Sequence, residues 1–329
     1  LPESASAILE QSITDPDRAV NWQADILCHP DAPVKANSVY DGLIRAERRR
    51  AETSAKKSTE RKTSPASRLS RNSGSTIQPS YSVFASSYDR YMVHVSYDRW
   101  VRSILQWYDA YTRLPLSLIH ETACGTANIG CRLVAQGYRV EASDLSPYML
   151  MVADEKPFKP VLSRRNLIDH LPPDRYSLVL CMFDSLNYLT RVQDVTAAFS
   201  SVYESLQPGG LFIFDISTYK NSIDNFNDRV NISDSPDEYL IHQAQFNEQT
   251  GSQLTRLTLF QKNGIQYDRY DERHYQRVYS NQEICSLIDD TPLKLVAIHS
   301  MTTSQNLVRR RKSAIDHQYH RLFYILKRP

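Results

Sequence analysis

Hydrophobic positions along this chain switch between two periods, and the switch maps its elements. Tyr97, Trp100, Val101, Ile104, Leu105 and Tyr108 recur at helical spacing and predict a helix buried along one face. Short apolar runs then alternate with helical stretches: strand Leu116–Glu121, helix Asn128–Gln136, strand Tyr138–Asp144, helix Pro147–Asp154 and a short strand near Val161. Strand Ser177–Met182, helix Val192–Leu206 and strand Leu211–Ile216 continue the series. Alternation at this spacing predicts an α/β fold, a parallel sheet with helices on both faces. Between residues 238 and 279 the period becomes that of long antiparallel strands, Asp237–Phe246, Gln253–Lys262 and Ile265–Tyr279, turned by Thr250-Gly251 and Asn263-Gly264. Helix Gln282–Asp289 and strands Leu293–Ser300 and Arg321–Leu326 close the sheet.

The pattern weakens towards the N-terminus, where charge takes over. Residues 1–43 carry seven acidic and two basic side chains, and residues 44–80 three acidic and ten basic ones. The remaining 81–329 hold 27 of each sign, so the basic balance belongs to the segment 44–80. That segment, rich in Arg, Lys, Ser and Thr, is expected to be a disordered linker, with order beginning at Tyr81. Its Arg48-Arg49-Arg50 and Lys56-Lys57 clusters could meet nucleic acid or simply stay solvated, and residues 1–43 carry no functional signal. A neutral folded domain, 81–329, with an insertion at about 220–280, argues against tight binding to a long phosphate backbone. Five cysteines, odd in number and never in a CxxC pair, read as reduced thiols. No apolar run is long enough to span a membrane and no secretory leader is visible, so a cytoplasmic location is the default expectation. The chain opens at Leu1 without a methionine, which fits a fragment or a processed form.

Candidate chemistry sits at the first strand. Ile119-His-Glu-Thr-Ala-Cys-Gly-Thr-Ala-Asn-Ile-Gly130 reads as strand, tight turn and helix start, and Asp144 ends the next strand 19 residues after Gly125. A glycine there lets a ligand approach the backbone, and a carboxylate at that position can accept both hydroxyls of a ribose. Dinucleotides and S-adenosylmethionine both use such a site. Dinucleotides require a third, middle glycine so that a helix N-terminus meets the pyrophosphate, and this turn lacks one. No Walker-type phosphate loop is present, which argues against nucleoside triphosphate hydrolysis.

Glu121-Thr-Ala-Cys-Gly-Thr, Asp144-Leu-Ser-Pro-Tyr-Met-Leu, Asp184-Ser-Leu-Asn-Tyr-Leu and Leu206-Gln-Pro-Gly-Gly-Leu-Phe-Ile-Phe-Asp215 follow one another as in class I S-adenosylmethionine-dependent methyltransferases. With Tyr81-Ser-Val-Phe-Ala-Ser-Ser-Tyr-Asp-Arg-Tyr-Met92 and Tyr267-Asp-Arg-Tyr-Asp-Glu-Arg-His-Tyr-Gln-Arg-Val-Tyr279, residues 81–329 resemble the bacterial YqeM-like subfamily. The resemblance implies a Rossmann-like, mostly parallel seven-stranded sheet of order 3-2-1-4-5-7-6 with an antiparallel β lid. It also implies S-adenosyl-L-methionine as methyl donor: Glu121, Cys124 and Gly125 at the methionine portion, Asp144 at the ribose, and Leu145, Asn166 and Leu167 about the adenine. Asp184 would face donor and acceptor. Tyr81 and Tyr88, which precede the first long helix, could cover the donor or pack in the core. Two residues depart from the pattern: Ala127 replaces a usual glycine and Asn166 a usual aspartate.

Methyl transfer needs proximity and desolvation more than functional groups, with a base only for a protonated acceptor. Asp184, His274 and Tyr88 are the candidate bases, and Arg269 and Arg277, with Arg273 on one strand face, the candidate substrate contacts. The expected activity is methylation of oxygen or nitrogen on a small-molecule acceptor beneath the lid. The alternatives are a tRNA or rRNA methyltransferase using the basic linker, and a non-catalytic S-adenosylmethionine-binding module.

Overall fold

A computed structural model describes residues 77–302 and 306–329. Segment 1–43 and all of the linker but its last four residues lie outside the described residues, and with them the basic clusters read as a nucleic-acid contact. Those four residues are ordered, against expectation. Ile77–Gln78 form a short strand, β1, followed by helices α1 (Ala85–Tyr91) and α2 (Tyr97–Tyr111). Next come β2 (Ile119–Thr122), α3 (Asn128–Ala135), β3 (Val140–Asp144), α4 (Pro147–Asp154), β4 (Val161–Arg164) and β5 (Tyr176–Cys181). A 3₁₀ turn Ser185–Tyr188 leads to α5 (Val192–Ser205), β6 (Leu206–Ser217) and α6 (Tyr219–Phe226). Strands β7 (Arg229–Ser235), β8 (Glu238–Asn247), β9 (Ser252–Asn263) and β10 (Gln266–Arg277) follow, then α7 (Asn281–Asp289), β11 (Lys294–His299) and β12 (Arg321–Lys327).

Seven strands form the central sheet in the order β4-β3-β2-β5-β6-β12-β11, which is the expected 3-2-1-4-5-7-6. All pairs are parallel except those made by β12, which runs against both neighbours. Leu178, Val179, Leu180 and Cys181 of β5 have no solvent exposure, as a central strand covered on both faces requires. Trp100, Val101, Ile104 and Tyr108 of α2 pack on one face, and Phe199 and Val202 of α5 on the other.

Two strand starts differ most from the sequence reading. β2 begins three residues later, at Ile119. β6 begins earlier, at Leu206, and its register with β5 shifts between Tyr176 and Leu178. Gly210 makes this early start feasible, because a Cβ there would stand 2.8 Å from the Gln207 carbonyl oxygen. Elements α6 and β7 are not announced by the hydrophobic pattern, since their sequence is dominated by Asn, Asp and Ser rather than by an apolar period.

The second sheet has the order β1-β10-β9-β8-β7. It is antiparallel apart from β1, which lies parallel to β10 with Ile77 opposite Asp271 and Gln78 opposite Glu272. Leu240, Leu257 and Leu259 cluster with Phe84 just before α1, so the leading segment is carried by this sheet. Among the described residues no helix is long and apolar enough to cross a membrane, and Cys124, Cys131, Cys181 and Cys285 are free and buried.

Candidate functional site

The turn after β2 alternates conformations, with left-handed φ at Ala123 (51°), Gly125 (55°) and Ala127 (55°). Asp144, at the end of β3, braces it: the Gly125 N–H donates to Oδ2 and the Ser146 N–H to Oδ1, both at 2.8 Å. Burial pushes the Asp144 carboxyl up. Glu121 is 3% exposed and accepts the Gly130 N–H at 2.8 Å. A Cβ on residue 130 would lie 2.7 Å from that same carboxylate oxygen, so glycine is what lets the two meet. Burial raises the Glu121 carboxyl to about 8, the Gly130 N–H and Lys156 opposing it.

A cavity of about 900 Å³ opens at this turn, beyond the C-terminal ends of β2, β3 and β5. Tyr81, Tyr88, Glu121, Cys124, Gly125, Asp144, Leu145, Asn166 and Leu167 all line it, so the structure brings these expected residues together. A Cβ built on Gly125 meets nothing within 4 Å, so its surface is open space. Leu145 is 56% exposed.

The cavity's outer wall is the leading segment, and here lie residues that sequence reasoning missed. Glu272 of β10, 3% exposed, accepts the backbone N–H groups of Tyr81, Ser82, Val83 and Phe84 at 2.7–3.1 Å. Burial alone would raise this carboxyl, but His274 and those N–H groups hold it below its usual range. Glu238 of β8 accepts from the Ser87 hydroxyl and, at 2.8 Å, from the Tyr91 hydroxyl. Asp89 grips the turn from the other side, accepting Thr126 Oγ1 at 2.6 Å and Asn128 Nδ2 at 2.8 Å and pairing with Lys156 at 2.6 Å. Helix α1 thus ties the second sheet to the glycine turn. Asp89 stands inside the Tyr88-Asp-Arg-Tyr motif; nothing in sequence spacing pairs Glu272 with residue 81.

Asp184 does not line the cavity, although Phe183 and Ser185 do. Its Oδ1 accepts from Arg321 at 2.8 Å and its Oδ2 from Gln276 at 2.9 Å. Arg321 also donates to Asp215, which in turn accepts the N–H groups of Phe183 and Asp184, both left-handed. The Asp184 carboxylate is therefore engaged at both oxygens as a brace for this strand end, which corrects the expectation that it faces the acceptor as a base. His274 is 3% exposed on the inner face of β10, with Nδ1 3.0 Å from the Tyr188 hydroxyl.

Arg269 and Arg277 require correction as substrate contacts. They sit on the outer face of β10, opposite the face of His274, and neither lines the cavity. Arg269 pairs with Asp271 at 3.0 Å and Arg277 with Glu283 at 2.8 Å. In both cases a nearby carboxylate on the protein takes the cation.

Ala127 is fully buried in a small apolar cluster with Cys124, Cys131, Ala142 and Ala153, and it is absent from the cavity wall. Ala127→Gly should relieve left-handed strain of roughly 1–2 kcal/mol while losing roughly 0.8 kcal/mol of methyl burial and loosening the unfolded chain. Stability is expected to change by no more than about 1 kcal/mol, with donor affinity within about twofold of the parent. A tenfold gain in calorimetric affinity for S-adenosylmethionine would mean that the methyl group does crowd the ligand.

The comparisons with known proteins agree with this architecture. Residues 119–210 match the family model described as a methyltransferase domain. YqeM of Bacillus subtilis (strain 168), a proposed methyltransferase, is 32% identical over 220 residues, covering 65% of this chain and 87% of that protein. Among solved structures, an S-adenosylmethionine-dependent methyltransferase from Clostridium acetobutylicum ATCC 824 superposes with a TM-score of 0.63 at 24% identity, over 75% of this chain and 98% of that one. CalS10 of Micromonospora echinaspora, an amino pentose methyltransferase solved with S-adenosylmethionine bound, gives 0.56 at 13% identity, over 75% and 97%. A left-handed glycine turn braced by Asp144 at the end of the second sheet strand, on a sheet of order 3-2-1-4-5-7-6, together with a curated relative covered over most of its length, shows that this chain belongs to the class I S-adenosylmethionine-dependent methyltransferases, in the YqeM-like subfamily.

Proposed function

We propose that the protein methylates a nitrogen or oxygen atom of a small molecule held in the 900 Å³ cavity beside the glycine turn. The observation that carries this reading is the cavity's size together with its wall. At about 900 Å³ it lies near the top of the roughly 300–1,000 Å³ range of small-molecule sites, so a nucleoside-sized donor leaves room for a compact acceptor. The likeness to an amino pentose methyltransferase adds support for a small, polar acceptor.

The residues present fit the donor. Gly125 offers an open backbone surface, Glu121 is a buried carboxyl able to take the amino acid's ammonium, Asp144 can accept ribose hydroxyls, and exposed Leu145 can cover a base. Asn166 can accept from an exocyclic amine through its Oδ1, more weakly than a carboxylate. When bound, the donor supplies a methyl group already activated on a sulfonium. The chain's own contribution is then to position and desolvate: the leading segment closes the cavity, while Arg321, Asp215 and Gln276 fix the Phe183–Asp184 strand end. Asp184 acts here as a positioning residue. We take the second sheet, with α6, to be a lid that works through the leading segment, since no residue of β7–β10 lines the cavity itself.

Asp144→Ala is expected to weaken S-adenosylhomocysteine binding by at least about 100-fold, because it removes charge-assisted hydrogen bonds and the brace on Gly125. Isothermal calorimetry on the parent and variant reads this directly, and equal affinities would refute the ribose role. Small amines and amino sugars assayed with methyl-labelled donor test the acceptor class; transfer only to RNA would overturn it.

A further inference from the structure

We propose that Tyr81, Tyr188 and His274, backed by Glu272, form a proton relay that carries the acceptor's proton out of the cavity; the proposal rests on the reading of that cavity as the donor site. Two hydrogen bonds join three of the groups, and the fourth is adjacent. The Tyr81 and Tyr188 hydroxyls are 2.7 Å apart and the Tyr188 hydroxyl is 3.0 Å from His274 Nδ1, while His274 Nε2, which makes no hydrogen bond, lies 3.3 Å from Glu272 Oε2 as a charge partner. Both tyrosines line the cavity and His274 does not, so the line runs from the cavity into the second sheet. His274 and Glu272 are each 3% exposed, so the far end of the line lies away from bulk water.

Donor directions follow from the ends. An imidazole that keeps its proton at Nε2, next to the Glu272 carboxylate, accepts at Nδ1. Tyr188 then donates to His274 and must accept from Tyr81, which leaves a Tyr81 oxygen lone pair free for the cavity. Burial pushes both hydroxyls well up, and the neighbouring Asp184 adds to this at each of them. Neither phenolate persists alone, so each oxygen gains a proton as it passes one on. The other groups around the line are Tyr88 and Asp144, near Tyr81 or Tyr188, and His242, which faces His274.

In the transfer, the acceptor atom gains the methyl group, the carbon–sulfur bond breaks with its electron pair staying on sulfur, and the acceptor's N–H or O–H proton passes to Tyr81. Tyr81 gives its own proton to Tyr188, and Tyr188 gives its own to His274. Positive charge that leaves sulfur reappears as an imidazolium beside the Glu272 carboxylate, so the site's net charge is conserved. No redox partner is required.

The test uses binding rather than turnover. Sinefungin carries an amine-bearing carbon in place of the donor's sulfur and methyl, so its ammonium probes for a proton acceptor where the methyl group would sit. The parent chain is expected to bind sinefungin about tenfold more tightly than S-adenosylhomocysteine, as a charge-assisted hydrogen bond would give. In Tyr188→Phe, Tyr81 loses its acceptor and turns its O–H towards the ammonium, so the ratio should fall towards one; His274→Leu should do the same through Tyr188. His274→Gln, which still accepts at Oε1, should keep most of the ratio. A parent chain with no preference, or a parental ratio retained in both Tyr188→Phe and His274→Leu, would overturn the relay. Equal weakening of both ligands in the variants would likewise overturn it, leaving only a role in shaping the pocket. Failure of the parent to bind either ligand would instead remove the donor-site reading, a distinct result.

Discussion

Glu272→Ala should lower the melting temperature by about 5–10 °C and weaken S-adenosylhomocysteine binding at least tenfold. Its carboxylate is the shared acceptor for four consecutive backbone N–H groups, residues 81–84, and it lies on a different element from all of them. Removing one partner of a buried charged contact costs on the order of 3–5 kcal/mol, and here several donors lose the same acceptor at once. The loss would spread, because the Tyr81 carbonyl also accepts the Ser146 hydroxyl at 2.7 Å, next to Asp144. Freed residues 79–84 would no longer cover the cavity. Glu272→Gln keeps the shape but not the charge and should fall between. The sign with pH is fixed by the lowered carboxyl: its stabilisation is full above the usual glutamate range and is lost as pH falls through the depressed folded value. Thermal melts at pH 7 and pH 4 read both claims. An Ala variant melting within 2 °C of the parent at pH 7 would show that the segment is held by something else.

The contrast between what the sequence reveals and what it conceals is physical. Strand β5 is legible because a buried parallel strand needs an apolar run, and helix α4 because Ser146-Pro147 starts a helix by capping and ring geometry, the Ser146 hydroxyl accepting from Met149 N–H. Strands β2 and β3 carry His120, Glu121 and Glu141 and are marked instead by the glycine turn and Asp144 that follow them. The cavity wall formed by Glu121, Gly125 and Asp144 is legible for the same reason: local backbone geometry puts these residues at adjacent strand ends. The outer wall is not local. Glu272 meets Tyr81 across 191 residues, and the two are joined only because β1 pairs with the edge of β10, a contact between two polar segments with no apolar period to announce it. Charge pattern also misled at β10. Arg269 and Arg277 share a face, but alternation cannot say which face looks inward, and here it is the face of His274.

Donor affinity should peak near pH 8 and fall by about tenfold per pH unit on the acid side, with Glu121 as the cause. Burial raises this carboxyl to about 8, so in the ligand-free protein it is mostly protonated at pH 7. Holding the donor's ammonium requires the carboxylate, and below pH 8 each binding event must expel a proton, which produces the acid limb. An α-amino group titrates near pH 7.7–8.0, so above that range the ligand loses its charge and affinity declines again. Glu121→Gln removes the acid limb and leaves only the alkaline one, at lower affinity throughout. The same substitution should stabilise the ligand-free protein. A carboxyl whose folded pKa lies above its unfolded value makes folding less favourable as pH rises from about 4.5 to about 8, by about 1.4 kcal/mol for each pH increment of one across that interval. The neutral amide still accepts the Gly130 N–H and escapes this cost, so the variant should melt higher than the parent at pH 8.5 and not at pH 5. Calorimetric affinity for S-adenosylhomocysteine across pH 6–9, with thermal melts of both proteins at pH 5 and 8.5, tests the pair of claims. A flat affinity profile on the acid side, or a variant that is less stable than the parent at pH 8.5, would show that Glu121 is already ionised without its ligand.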